Sequence, residues 1–300
     1  MKDAFSRFHP LASFGYFTAV LLFSMFVMNP FFSAISLINA VVYSVYLNGR
    51  RSVRFGLLYL IPAMLMLIII NPLFNHEGMT AAAYLPSGNP ITVESIIYGC
   101  AAALLMAGVV MWFSCFNTII TSDKLMYLFG RIVPHLSLML SMSLRFIPRF
   151  RDQFTRVREA QRCIGRDISG GIIKRLKNAV KIFSIMVTWS LENSVETADS
   201  MKSRGYGTSK RTSYSVYKFE KRDALVLLIT ALLSVFIIYG CASGYVNFRY
   251  FPTVKGSGAT PLALGVLYCI FLLCAMPMAI NLKEETAWRC FKVKDLSFTY

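Results

Sequence analysis

Hydrophobic residues along the chain form six uncharged runs, and each comes close to the length of a membrane-crossing helix. A crossing helix needs about 20 mostly apolar residues. The runs are Leu11–Met28, Phe31–Leu47, Phe55–Ile70, Ile96–Ile120, Ala224–Ala242 and Pro261–Ile280. This pattern predicts an all-α, polytopic membrane protein with about six transmembrane helices, in which Pro62 kinks the third.

The stretch between the fourth and fifth runs mixes apolar and charged residues and predicts long helices outside the membrane. Pro134 and Pro148 are the expected helix breaks in its first part. Ile173–Arg204 contains neither Pro nor Gly and would be about 48 Å long as a helix. Its apolar centre, Ile182–Leu191, is too short to cross a bilayer. We therefore expect this stretch to be a module of long helices beside the membrane.

These patterns divide the chain into four parts. They are N-terminal transmembrane helices (1–122), a cytoplasmic module of long helices (123–222), a C-terminal transmembrane hairpin (223–282) and a cytoplasmic tail (283–300).

Charge is concentrated in the predicted module. The whole chain carries a formal charge of +16 although 56% of its residues are hydrophobic. The segment Lys124–Arg222 holds 20 Lys and Arg against 7 Asp and Glu. The basic segments all fall on one side of a six-span topology, so the positive-inside rule predicts that both termini are cytoplasmic. Basic helices beside a membrane favour anionic lipid and acidic protein surfaces over nucleic acid as partners.

Motifs that bind a cofactor or metal are missing from the sequence. There is no phosphate-binding GxxxxGK[ST], no HExxH and no GxSxG, the three His residues are far apart, and none of the seven Cys forms a CxxC pair. We expect no cofactor and no metal. Uncharged spans also argue against an ion-coupled transporter. Two alternatives stay open: a self-sufficient permease with a basic regulatory domain, and a membrane-integrated lipid-modifying enzyme that would use Asp123, Asp152 or Glu159.

Two helix ends in the module carry Arg beside Gly. The first contains Arg162, Gly165 and Arg166, and the second is Ser203-Arg204-Gly205. Gly commonly ends helices because it adopts positive φ without steric cost, and a basic residue there is also favoured by the helix dipole. An Arg held at such an end could insert its five donors into an acidic groove of a partner. Two similar ends would need two similar receiving sites.

The sequence resembles the T component of energy-coupling factor (ECF) transporters over most of its length. The resemblance rests on Phe8-His9-Pro10-Leu11, Leu144-Arg145-Phe146-Ile147-Pro148, the first helix end and Ala198–Tyr206. It implies a non-catalytic membrane subunit of a prokaryotic plasma membrane importer for vitamins, cobalt or nickel. The implied partners are two ABC-type ATPase subunits and a small substrate-binding membrane subunit.

The resemblance also implies roles for single residues. In the family, two Ala-Arg-Gly-like motifs end two coupling helices and seat their Arg in the ATPase subunits, a role that Arg204 matches directly. At the first end Ile164 stands where the family has Arg. Arg162 or Arg166 would replace it, or this end docks by packing alone. Arg145 is equally consistent with a lipid or dipole contact and with a role inside the module.

The tail alternates apolar and polar residues from Phe291 to Tyr300, as a half-buried strand does. It is similar to the first strand of an ABC-type ATPase domain, whose closing aromatic stacks on adenine. Either the tail leads into a fused or truncated ATPase domain, with Tyr300 in that role, or it is a short basic tail.

Overall fold

The computed structural model describes residues 3–84, 90–132, 134–165, 171–206, 217–256 and 260–297. Most of these residues are helical, which confirms the all-α class. The helices are α1 (Pro10–Phe26), α2 (Pro30–Asn48), α3 (Arg50–Phe55), α4 (Ile61–Phe74), α5 (Val93–Ile119), α6 (Ser122–Ile132), α7 (Pro134–Cys163), α8 (Ile172–Ser203), α9 (Lys221–Ala242) and α10 (Pro261–Ser297). A 3₁₀ turn, Phe5–Arg7, precedes α1.

Each of the six predicted spans coincides with a helix. In the part of the chain that the structure describes, five helical segments are long and apolar enough to cross a membrane: Pro30–Asn48, Arg50–Phe74, Val93–Ile119, Lys221–Ala242 and Pro261–Trp288. The sixth, α1, is apolar but has only 17 residues.

The third span begins earlier than its hydropathy predicts. Helix α3 starts at Arg50, directly after Gly49, whose φ of 56° separates it from α2. A π-helical turn, Gly56–Leu60, joins α3 to α4, and Pro62 follows it. Because Pro62 has no amide hydrogen to bond the carbonyl of Leu58, the regular helical ladder is interrupted at this turn.

Two predictions about helix continuity were wrong. Pro148 does not break its helix, because α7 runs from Pro134 to Cys163. Rings on either side support this segment: Phe146 lies 6.3 Å from Phe150, which lies 5.4 Å from Trp189. Residues 291–297, predicted as strand, continue α10 to Ser297. Extending an existing helix gains one hydrogen bond for each residue fixed, and no breaker follows Pro277. Tyr300 lies outside the described residues.

The connections opposite the basic segments contain short strands that periodicity did not predict. Strand β1 (Ala81–Tyr84) pairs antiparallel with β2 (Pro90–Thr92). Strand β3 (Phe248–Arg249) pairs antiparallel with β4 (Lys255–Gly256). Thr92 then caps α5 by accepting a hydrogen bond from the Ser95 amide.

The chain forms two compact units. The first comprises Met1–Leu125 and Tyr217–Tyr300, and the second comprises Met126–Val216. The second unit falls within the segment 123–222 predicted as the coupling module. The functional assignment of the four predicted parts stays a prediction.

Trp112 lies at the centre of the first unit and is fully buried. Its indole Nε1–H donates to Ser36 Oγ at 2.9 Å, and Ser36 also bonds Ser24 across α1 and α2. The Tyr16 hydroxyl donates to the Leu273 carbonyl at 3.0 Å and so joins α1 to α10. In an apolar surrounding these polar groups need partners within the protein, and the bonds hold the helices in register.

The N-terminal segment ties together the ends of several helices in the first unit. His9 caps α1, and its backbone N–H donates to Asp223 Oδ1 at 2.9 Å. Asp223 also accepts from the Glu220 amide within a capping box at the start of α9. Lys124 lies just before the second unit in the chain, and its Nζ donates to the Ser6 carbonyl at 2.6 Å. Residues 6–9 are therefore bonded next to both points where the chain passes into and out of the second unit.

Candidate functional site

Helix α8 ends in a complete Schellman motif built around Gly205. Gly205 has φ of 74°, a conformation that costs other residues about 1 kcal/mol or more. Its amide donates to the Lys202 carbonyl at 3.0 Å, and the Tyr206 amide donates to the Met201 carbonyl at 3.2 Å. These bonds satisfy the carbonyls of the last turn. Arg204 is thereby held as the exposed C-cap residue at a defined position.

Helix α7 ends in a related way. Gly165 has φ of 75°, and its amide donates to the Arg162 carbonyl at 2.9 Å. Ile164 occupies the C-cap position that Arg204 has in α8, and its side chain is 67% exposed. The backbone of the two ends is therefore alike, whereas the side chain presented differs. Arg166 lies outside the described residues.

An aromatic contact fixes how α7 packs on α8. Phe150 meets Trp189 edge to face at 5.4 Å between ring centroids. The Arg149 guanidinium lies over the same indole, 6.0 Å from its centroid. Such aromatic and cation–π contacts contribute about 0.5–1.5 kcal/mol each. Phe150 of α7 meets Trp189 of α8, and Arg162 of α7 lies near Arg175 of α8. Because later residues of α7 meet earlier residues of α8, the two helices run antiparallel.

The Arg204 end of α8 lines a cleft of about 650 Å³ between the two helices. Arg145 and Arg149 of α7 line it together with Arg204 and Tyr206. The acidic residues in its lining are Asp152 and Glu196. Three guanidinium groups therefore surround one opening, which suits an acidic segment of a partner.

The α7 end lies beside a second, larger cleft of about 850 Å³. Its walls are mainly apolar, with Phe154, Phe183 and Met186, and its basic lining residues include Arg158, Arg162 and Arg175. The amide nitrogen of Asn178, also in this lining, is buried without a hydrogen-bond partner. An apolar cleft rimmed by Arg fits a partner segment that combines apolar and acidic side chains.

Most of the predicted site residues lie at these two helix ends, and the fold keeps the ends apart. Arg162 and Gly165 are at the end of α7, and Ser203, Arg204 and Gly205 are at the end of α8. Since α8 is 32 residues long, the ends are separated by roughly 48 Å along it.

Sequence reasoning missed several residues of these clefts. Arg149, Arg158 and Arg175 were not singled out, and the role of Arg145 was left undecided. The signal was present in the helical spacing: Arg145 and Arg149 are four residues apart, as are Arg158 and Arg162, so each pair shares one face of α7. No cluster of three or more His, Cys, Asp or Glu that could hold a metal occurs in the part of the chain that the structure describes.

Helix α8 also exposes an apolar stripe. Its members recur at intervals of three or four residues and are all substantially exposed: Ile173, Leu176, Val180, Phe183, Val187, Leu191 and Val195. Ile173 is 85% exposed and Phe183 is 70% exposed. A contiguous apolar stripe of this kind is typical of a surface that packs against another protein or lipid.

Comparison with known proteins agrees with this architecture. Residues 5–214 match the family model of CbiQ, described as a cobalt transport protein. The chain belongs to this family. The match covers both helix ends and more than two thirds of the sequence.

Several curated relatives of this chain are named as the transmembrane protein EcfT of energy-coupling factor transporters. The ECF transporter transmembrane protein EcfT of Staphylococcus aureus is 28% identical over 260 residues, which are 79% of this chain and 97% of that protein. EcfT of Lactococcus lactis is 35% identical over 108 residues, covering 35% of this chain and 41% of that protein. EcfT of Lactobacillus helveticus is 36% identical over 110 residues, covering 35% of this chain and 40% of that protein. The aligned part is thus about two fifths of the latter two proteins. The chain is a T component, a membrane subunit of a transporter rather than an enzyme.

Proposed function

We propose that this T component transmits the motion of two cytoplasmic ABC-type ATPase subunits to a small substrate-binding membrane subunit. ATP binding and hydrolysis would move the two helix ends, and α7 and α8 would carry that movement to the membrane. The cargo would be a micronutrient, a vitamin or a transition-metal ion. Both termini and the module would lie on the cytoplasmic side of a prokaryotic plasma membrane.

The observation that carries this proposal is the pair of Gly-terminated ends at opposite ends of one helical hairpin. Each has its backbone fixed by a Gly at positive φ, and each borders an Arg-lined cleft. Two ends separated by roughly 48 Å suit two separate protein subunits better than one small ligand. We expect the substrate-binding subunit to pack on the members of the α8 stripe that line neither cleft: Ile173, Leu176, Val187, Leu191 and Val195.

Arg204 is the residue to test first. Tagged protein is purified from native membranes as wild type, Arg204→Glu and Lys202→Glu, and the co-purifying ATPase subunits are measured. Lys202 is the matched control because it lies in the same last turn, is also exposed and undergoes the same charge change. Breaking a buried interfacial charge pair costs roughly 2–5 kcal/mol, so Arg204→Glu should weaken ATPase binding by about 30-fold or more.

Equal ATPase recovery and normal uptake in all three proteins would show that Arg204 does not dock there. Equal losses in Arg204→Glu and Lys202→Glu would indicate a diffuse charge effect instead of a specific contact.

The first end offers a separate test of how it docks. Arg162→Glu and Arg166→Glu remove the candidate charged contacts, whereas Ile164→Asp removes the exposed apolar one. We expect one of the Arg variants to lose ATPase binding if a charge replaces the family Arg. Loss only in Ile164→Asp would show that this end docks by packing.

A further inference from the structure

A groove in the first unit lies between the start of the third span and the second half of α5. It has a volume of about 500 Å³. Phe55 forms one wall, and Val110 and Phe113 of α5 form the other. Asn117 and Thr118 line the same groove and supply polar groups. The opening is therefore apolar on the α5 side near Val110 and polar near the end of α5.

Three Arg residues open the helical segment whose Phe55 lines this groove. Arg50, Arg51 and Arg54 are all exposed and open the helical segment that ends at Phe74. Arg51 precedes Phe55 by four residues and so lies on the same helix face, about one turn closer to the helix start. The Asn48 side-chain amide donates to Thr118 Oγ1 at 3.2 Å, which ties the end of α2, two residues before Arg50, to the polar end of the groove.

These three Arg residues lie in a long stretch of the sequence without acidic residues. The sequence contains no Asp or Glu from Ala4 to His76, nor from Ser95 to Ser122. Among the described residues, none of the three Arg residues forms an ion pair with a carboxylate. The six residues from Arg50 to Phe55 therefore carry a charge of +3, and the last of them lines the apolar slot.

The helix that carries these Arg residues faces away from the protein along most of its surface. Only 6% of its span is buried, against 39% for α5, and Leu57, Leu58 and Tyr59 are exposed directly after Phe55. The π-helical turn Gly56–Leu60 also lies here, a local irregularity that is frequent at functional sites. A ligand at this position must match cationic groups at one end and a hydrocarbon environment at the other.

We propose that this groove is a binding site for one anionic phospholipid. Its phosphate headgroup would contact Arg50, Arg51 and Arg54, and one acyl chain would lie in the slot between Phe55 and Phe113. Each basic residue near a membrane surface contributes roughly a fivefold gain in affinity for anionic lipid. Three together give about 100-fold selectivity over a zwitterionic lipid.

The test is native mass spectrometry of detergent-purified protein titrated with dioleoyl-phosphatidylglycerol, dioleoyl-phosphatidylcholine or glycerol 3-phosphate. We expect one tight phosphatidylglycerol adduct and neither of the other two at the same concentration. The variant Arg50→Gln/Arg51→Gln/Arg54→Gln should weaken the adduct by about 100-fold. The control is a triple variant that loses the same charge from exposed positions of α8, Lys174→Gln/Lys177→Gln/Lys181→Gln. This control should keep the phosphatidylglycerol adduct.

The acyl slot is tested separately with Ser114→Trp, which places a ring in the groove from its lining. Leu57→Trp adds the same ring on the exposed face and is its control. We expect only Ser114→Trp to weaken the adduct. Equal binding by the Arg variant and its Lys control, or tight binding of glycerol 3-phosphate, would overturn the proposal. The proposal would also be overturned if the triple Arg variant bound the lipid as wild type does but lost a co-purifying membrane protein. The surface would then be a protein interface.

Discussion

Replacing Asp223 by Ala should destabilise the first unit more than any comparable change at an exposed acidic residue. Asp223 is only 4% exposed, and its two carboxyl oxygens accept from two backbone amides, His9 N–H and Glu220 N–H, both at 2.9 Å. Ala removes both acceptors and leaves the two donors in place. The first donor is buried, so losing its partner costs about 1–3 kcal/mol. The second is partly buried and costs about 0.5–1.5 kcal/mol, so the total is about 1.5–4.5 kcal/mol.

The assay is thermal unfolding of the purified protein in one detergent, followed by the fluorescence of its Trp residues. Asp199→Ala is the matched control, because Asp199 is exposed on α8 and surface substitutions of this kind stay within about 0.5 kcal/mol. Asp223→Asn keeps one oxygen acceptor and should fall between wild type and Asp223→Ala.

The reasoning would be refuted by a melting temperature of Asp223→Ala equal to that of Asp199→Ala. It would also be refuted if Asp223→Asn were as unstable as Asp223→Ala, since the loss would then follow the charge and not the acceptors.

Two further changes test the packing and the electrostatics of the same unit. A Cβ on Gly240 would clash with Val266 Cγ2, and because a branched side chain cannot move aside easily, Gly240→Ala should cost about 1–3 kcal/mol. The double variant with Val266→Ala should recover most of that loss in the same melting assay. Burial raises the pKa of Asp3 above 3.8 despite hydrogen bonds from Asn281 and Tyr43. The folded protein therefore binds this proton more tightly than the unfolded chain does. The contribution of Asp3 to the free energy of unfolding is fully present below pH 3.8 and is lost as the pH rises through the raised pKa. Asp3→Asn should therefore reduce the change in melting temperature between pH 4 and pH 8. An unchanged dependence of the melting temperature on pH would show that other groups cause it.

The spans and the helix ends could be predicted from the sequence because both depend on local chemistry. An uncharged run of the right length is favourable only as a helix in lipid, so Ala224–Ala242 needs no tertiary information. Gly165 and Gly205 mark helix ends because positive φ is cheap for Gly alone. Arg204 follows from its position before such a Gly, and the resemblance to a known family gave it a role.

Proline effects and the tail show where local patterns are insufficient. Pro148 removes one hydrogen bond, and whether that breaks a helix depends on packing from outside it, here Phe150 on Trp189. The alternation of residues 291–297 is equally compatible with a helix extended from α10, and the preceding helical turns decide between the two.

The grouping of side chains from distant parts of the chain was decided only by the tertiary structure. Arg145 and Arg204 are 59 positions apart in the sequence, yet they line one cleft because α7 and α8 run antiparallel. Asp223 bonds His9 across 214 positions for a similar reason: the starts of α1 and α9 are brought together. Composition and periodicity record which residues are buried and which are charged, but not which of them meet. That depends on how helices pack, a property of pairs of surfaces and not of any single segment.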